Sequence, residues 1–191
     1  MKRKLLLLAI TLAILTGCGS SSFYQLHPNI AENEATVAHK RGMIIGLAEV
    51  EVADYLQKSE LMTRMSAGRL QIHNKDVWAG SLAKNVQSVL QQNLSNLLPG
   101  SIFLSYPWEE PIDDKYRIYV TIDHFDAYET GDVVLKGRWS LVNKEQNSVR
   151  YSESINYSAQ GGETLDAMVT TQSRLLDKLS RRIAVKIRAN L

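Results

Sequence analysis

One thiol, Cys18, is the only cysteine in the 191 residues, and its surroundings decide its chemistry. It closes the run Leu15-Thr16-Gly17-Cys18. Three basic residues, Lys2, Arg3 and Lys4, open the chain, and an uncharged stretch follows from Leu5 to Leu15. That stretch is too short to span a bilayer core, which needs about 20 apolar residues. A basic start, a short apolar run and small residues at the cut are the parts of a secretory signal peptide. Small residues directly before the cysteine fit a bacterial lipobox. Residues 1–17 therefore read as a signal peptide, and Cys18 as the thiol that takes a diacylglyceryl group and becomes the mature N-terminus. The competing readings are an ordinary signal peptide with an incidental cysteine and an uncleaved anchor; a lone cysteine at this junction argues against both. Two or more acyl chains hold a protein stably on a bilayer, where one does not. Residue 19 is Gly rather than Asp. By the usual sorting of such lipoproteins, this favours the inner leaflet of the outer membrane, with the folded part facing the periplasm.

Other residues that could do chemistry do not converge. Four histidines, His27, His39, His73 and His124, are scattered, and only His124 and Asp126 share one side of a strand by spacing. A metal site needs three or four ligands, so a structural or solvated role is expected and no metal. Neither a Gly-x-Ser-x-Gly elbow nor a His-Glu-x-x-His pair nor a phosphate-binding glycine loop occurs. The carboxylates Glu109, Glu110, Asp113 and Asp114 could do acid–base work. Their neighbours Pro107 and Pro111 instead suggest a solvated loop. Arg181, Arg182, Lys186 and Arg188 crowd the end of a helix, where cations meet anionic headgroups or favour the helix dipole. The dipole is the preferred reading. No catalytic residue and no cofactor is expected, hence no enzyme. Without Lys2, Arg3 and Lys4, 19 Lys and Arg face 20 Asp and Glu, so a nucleic-acid-binding surface is not indicated. With Cys18 acylated, no disulfide is available and the core alone must hold the fold.

The elements that would carry these residues follow from periodicity. Residues 18–41 read as the lipidated N-terminus and a tether. They contain a strand candidate at Phe23–Leu26, closed by His27-Pro28, and a polar loop from Asn29 to Arg41. A single domain is expected over residues 42–191, large enough to bury roughly 70% of its unfolded surface. Met43 to Val52, Leu61 to Met65, Arg69 to Ile72 and Ile102 to Leu104 read as strands. Leu82, Val86, Leu90, Leu94 and Leu98 recur at helical spacing, predicting a helix over 79–98 ended by Pro99-Gly100. Three alternating strands follow in meander order, around Tyr116–Asp123, Val133–Leu141 and Val149–Tyr157. Trp139 lies on the apolar face of the second, where Gly137 leaves room for a bulky neighbour. A second amphipathic helix runs from Glu163 to Ala189. The predicted class is α+β: a mostly antiparallel sheet with two long amphipathic helices packed on one face. Trp78, before the first helix, and the segment Tyr106, Pro107 and Trp108 lie at element ends. They are the candidates for exposed anchors that bind a partner.

The order and spacing of these pieces resemble the ABC-type transport auxiliary lipoproteins, the PqiC/YmbA family. After the lipobox come Tyr24-Gln25-Leu26, then a strand ending at Val52 with Asp54-Tyr55-Leu56 beyond it. Thr63-Arg64, Arg69-Leu70, Trp78-Ala79 with Leu82, and Asn93-Leu94 with Leu97-Leu98-Pro99-Gly100 follow. Tyr106-Pro107, the Gly137, Trp139 and Leu141 set, and Asp166-Ala167-Met168-Val169 complete the match. Ala53 departs from it, where relatives often carry proline before the Tyr-Leu pair. The resemblance implies a non-enzymatic subunit of a lipid-trafficking system, docking an MCE-domain protein that reaches across the periplasm. A homo-oligomer is compatible with that role, and a structural envelope lipoprotein without a transport partner is the alternative.

Overall fold

The computed structural model describes residues 20–30 and 43–191. Cys18, the signal peptide, His39 and most of the expected polar loop lie outside the described residues. In chain order the elements are β1 (Ser22–Tyr24), β2 (Met43–Leu47), β3 (Glu51–Val52), a 3-10 turn (Asp54–Gln57), β4 (Glu60–Ser66), β5 (Arg69–Trp78), α1 (Leu82–Leu97), β6 (Ser101–Ser105), β7 (Tyr116–Tyr128), β8 (Asp132–Asn143), β9 (Ser148–Gln160) and α2 (Leu165–Asn190).

Strand β7 organises the sheet. Along one edge it pairs antiparallel with β8, and β8 in turn with β9. Along the other edge three strands share it in series, all parallel: β2 beside Tyr116–Ile118, β3 beside Thr121–Ile122, and β4 beside Ala127–Tyr128. From there two wings extend. Strand β6 joins β2 in parallel, and β5 joins β4 antiparallel with β1 parallel beyond it.

Five of the eight pairings are thus parallel, and the expected mostly antiparallel sheet is corrected to a mixed one. The meander β7–β8–β9 is antiparallel as predicted. Four of the five parallel pairings join strands on either side of α1, and such pairs need long crossovers that local alternation does not reveal.

Both helices cover one face. Helix α1 buries Leu82, Val86, Val89, Leu90, Leu94 and Leu97. Thr164 caps the start of helix α2, its hydroxyl accepting from the Ala167 amide. It buries Met168, Leu175, Leu176, Leu179, Ile183 and Ile187. Opposite them lie Ile118, Val120, Ile122, Leu135, Leu141 and Trp139, whose core role is as predicted.

Midway along β7 a bulge separates Ile122, opposite Gly137, from His124, opposite Lys136. One extra residue inverts the alternation, so Phe125 and Ala127 continue the buried face that Ile118, Val120 and Ile122 began. A Cβ on Gly137 would collide with the Thr121 carbonyl oxygen. The space at Gly137 therefore serves the bulged backbone of β7, not a bulky side chain as the sequence suggested.

The folded body also begins earlier than Gly42. After β1 the chain crosses the two helices, burying Leu26 and Ile30. The His27 amide donates to Ser173 Oγ at 3.2 Å, and Asn29 Nδ2 to Asp177 Oδ2 at 2.9 Å. Asn93 on α1 donates to the other Asp177 oxygen at 2.8 Å, and Asn96 to the Ile30 carbonyl at 2.8 Å. Asp177 is thus a shared acceptor that ties this N-terminal strap to both helices.

Candidate functional site

The end of β6 forms an aromatic ledge. Tyr106 still donates its amide to the Leu47 carbonyl, at 2.9 Å, so the chain leaves the sheet under control. The Tyr106–Pro107 peptide is cis. Trp108 then folds back, donating Nε1–H to the Leu104 carbonyl at 3.3 Å. The Tyr106 and Trp108 rings meet edge to face, with centroids 5.4 Å apart. Tyr106 is 44% exposed, Pro107 is exposed and Trp108 is half-buried.

A charged brace fixes the ledge from behind. The Arg117 guanidinium stacks 4.2 Å from the Trp108 ring centre. Its Nε and Nη2 donate to both oxygens of Asp114, at 2.8 and 2.9 Å, and Lys144 Nζ adds a third contact at 2.7 Å. The Asp114 side chain is fully buried. Burial alone would raise its pKa, but Arg117 and Lys144 together outweigh it and hold the carboxyl below its ordinary range. Gly46 makes the room: a Cβ there would strike Asp114 Oδ2.

Grooves open on both sides of Pro107. One, about 260 Å³, is floored by Val50, Ser81, Ala83, Gln87 and Tyr106. The other, about 570 Å³, runs past Gln91, Leu104, Trp108, Glu110 and Ile112. Glu109, Glu110 and Asp113 are exposed around the ledge as expected, whereas Asp114 is not a solvated loop residue but the buried brace. Its signal was its spacing from Arg117: two opposite charges three residues apart at a strand start.

The structure divides the expected anchors. Tyr106, Pro107 and Trp108 come together at the surface. Trp78 does not join them: it is 8% exposed and packs beside Leu56, Leu61, Leu82, Phe125 and Met168. Its place as an exposed anchor is corrected to the core. The reason is that β5 continues to Trp78 and is flanked there on both sides, by Tyr24 of β1 and by Ser59, whose carbonyl accepts from the Trp78 amide at 2.8 Å.

His124 and Asp126 do meet, Nδ1 to Oδ2 at 3.1 Å. Asp126 is buried and also accepts from Arg64 Nη2 at 3.1 Å and from the Tyr55 hydroxyl at 3.0 Å. Burial, and then the Asp126 charge, push the Tyr55 phenol up to about 12. The carboxylate is committed to three donors from three elements, which is a fastening. Among the described residues no group of three or more His, Cys, Asp or Glu could hold a metal.

The basic end of α2 is likewise engaged. Arg182 grips Glu153 of β9 with two nitrogens, at 2.6 and 2.8 Å. Lys186 Nζ lies 4.6 Å over the Tyr151 ring. Arg188 donates to the Leu97 carbonyl at 2.6 Å, so a cation does serve a helix C-terminus, but that of α1.

A family model described as "ABC-type transport auxiliary lipoprotein component" matches residues 24–184. No curated protein sequence matches the chain. Among solved structures, an uncharacterised protein superposes with a TM-score of 0.74 at 23% identity, covering 88% of this chain and 99% of that one. A protein from Xanthomonas campestris superposes with a TM-score of 0.70 at 13% identity, covering 86% and 93%. At these identities the likeness establishes the fold. PelC from Paraburkholderia phytofirmans, solved as a dodecamer, reaches a TM-score of only 0.47 at 12% identity, covering 75% and 92%, and is too distant to bear on assembly.

Proposed function

We propose that this chain, which belongs to the ABC-type transport auxiliary lipoprotein component family, is the outer-membrane docking subunit of an MCE-type lipid-transport system. Cys18 carries the lipid that holds it on the inner leaflet of the outer membrane, facing the periplasm. Its role is non-enzymatic: it receives the component that reaches across from the inner membrane. Among the described residues no helix is long and apolar enough to cross a membrane, so in this reading the acyl chains supply the membrane attachment.

The aromatic ledge carries this reading. A self-sufficient domain has no need to hold Tyr106 half-exposed, locked against Trp108 and braced by Arg117 and a buried carboxylate. Rigid aromatics lose little entropy on binding and commonly dominate interface energies. The acidic rim of Glu109 and Glu110 sets the polarity around them. Binding of the lipid-free mature protein to the cognate MCE-domain protein tests the assignment. Tyr106→Ala at a hot spot costs at least about 2 kcal/mol, a roughly thirtyfold loss of affinity. An unchanged affinity for Tyr106→Ala and for Trp108→Ala removes the ledge as the docking site.

A further inference from the structure

Phe23 is the most exposed of the large apolar side chains among the described residues, at 72%. It lies in the middle of β1, an edge strand that among the described residues pairs only with the end of β5, with Phe23 in register with Val77. At three residues β1 is too short an edge to recruit another strand. What it presents to its surroundings is a bare aromatic ring.

The chain leading to it is short. Four residues lie between Cys18 and Phe23. A fully extended chain covers at most about 3.6 Å per residue, so the two Cα atoms lie within roughly 18 Å of one another. Nor does a long free linker follow. The strap from Leu26 to Ile30 is already pinned by its buried ends, Leu26 and Ile30, and by hydrogen bonds to both helices. If Cys18 is acylated, the β1 edge is therefore held within reach of the bilayer interface, where aromatic side chains are favoured.

We infer that the β1 edge of the domain lies against the lipid surface, with Phe23 entering the interface as a second apolar contact beside the acyl chains. This rests on the acylation of Cys18 in the reading above. The charges around the contact carry both signs: exposed Lys58 and Lys75, against Glu60, Asp76, which takes the Tyr24 hydroxyl at 3.3 Å, and Asp166, whose charge also acts on that phenol. With no excess of cations, the contact is apolar in origin and does not depend on anionic headgroups.

The test uses the acylated full mature chain with Phe23→Cys. An acylated Cys18 has no free thiol, so residue 23 alone takes an environment-sensitive fluorophore; Tyr119→Cys, on an exposed β7 position, is the reference. Each is bound to vesicles of neutral phosphatidylethanolamine and phosphatidylcholine, and to the same vesicles with anionic phosphatidylglycerol. The expected result is a blue shift and loss of quenching by aqueous iodide at residue 23, equal on both vesicles, with residue 119 unchanged. A label at residue 23 that stays water-exposed while the protein floats with the vesicles overturns the inference. Failure to float marks instead the failure of the acylation reading. Protection of residue 23 already present in the unacylated Cys18→Ser form, without vesicles, places a second copy of the chain on Phe23 and also overturns it.

Discussion

Replacing Arg117 by Gln is the sharpest probe of the ledge. The variant removes two charge-assisted hydrogen bonds to a carboxylate whose side chain has no solvent exposure. Each such bond contributes about 1.5–3 kcal/mol. Water recovers part of the loss, because Arg117 itself is 17% exposed, and Lys144 keeps its own bond to Asp114. A net cost of about 2–3 kcal/mol follows, below the 3–5 expected for breaking a fully buried pair. In a domain of this size 1 kcal/mol moves the melting temperature by about 2–4 °C, so the variant should melt roughly 4–12 °C lower at neutral pH. The pH dependence gives a second signature. Asp114 has a lowered folded pKa, so its brace stabilises fully above the unfolded carboxylate value of about 4. That stability is lost as the pH falls through the folded value. The gap between wild type and variant should therefore be widest at pH 7 and close in acid. Thermal unfolding followed by circular dichroism across that range is the assay. A variant that melts with wild type at pH 7, or a gap that persists undiminished in acid, refutes the brace.

Three further outcomes are expected. Trp78→Ala should cost about 3–5 kcal/mol, some 6–20 °C of melting temperature, as a core truncation; melting at the wild-type temperature would return Trp78 to the surface. Gly137→Ala forces a Cβ onto the Thr121 carbonyl, a backbone atom in the middle of the sheet, and should cost about 1–3 kcal/mol in urea unfolding; a neutral result would mean that the bulge can relax. Cys18→Ser should move the protein from the membrane fraction to the soluble fraction, and an unaltered distribution counts against acylation.

The elements were legible where burial is one-sided and continuous. Leu82, Val86, Leu90 and Leu94 announce α1, and the alternations of β7 to β9 announce the meander. The direction of pairing was not, because alternation marks a buried face and says nothing about the neighbour. The role of Gly46 depends on Asp114, 68 positions away. The bulge at Ile122–His124 hid behind an alternation that looks regular as far as Asp123. Among site residues, Tyr106 to Trp108 were readable as large aromatics at an element end. Trp78 fitted the same description and is core, since an element end is a surface only if nothing pairs beside it. Arg64 and Tyr55 were missed because they reach Asp126 from 62 and 71 residues away.

The strap has a consequence for how the chain is completed. His27 and Asn29 take their partners from Ser173 and Asp177, 146 and 148 residues later. The parallel neighbours of β2 likewise come only from residues beyond 100. A chain emerging N-terminus first therefore presents β2 and the strap long before their partners exist, whereas β4 and β5 can pair with each other at once. Closing such distant contacts is slow, and unpaired strands are prone to aggregate while they wait. Strand β2 must wait unpaired or chaperoned for β6 and β7, and the strap for the last helix.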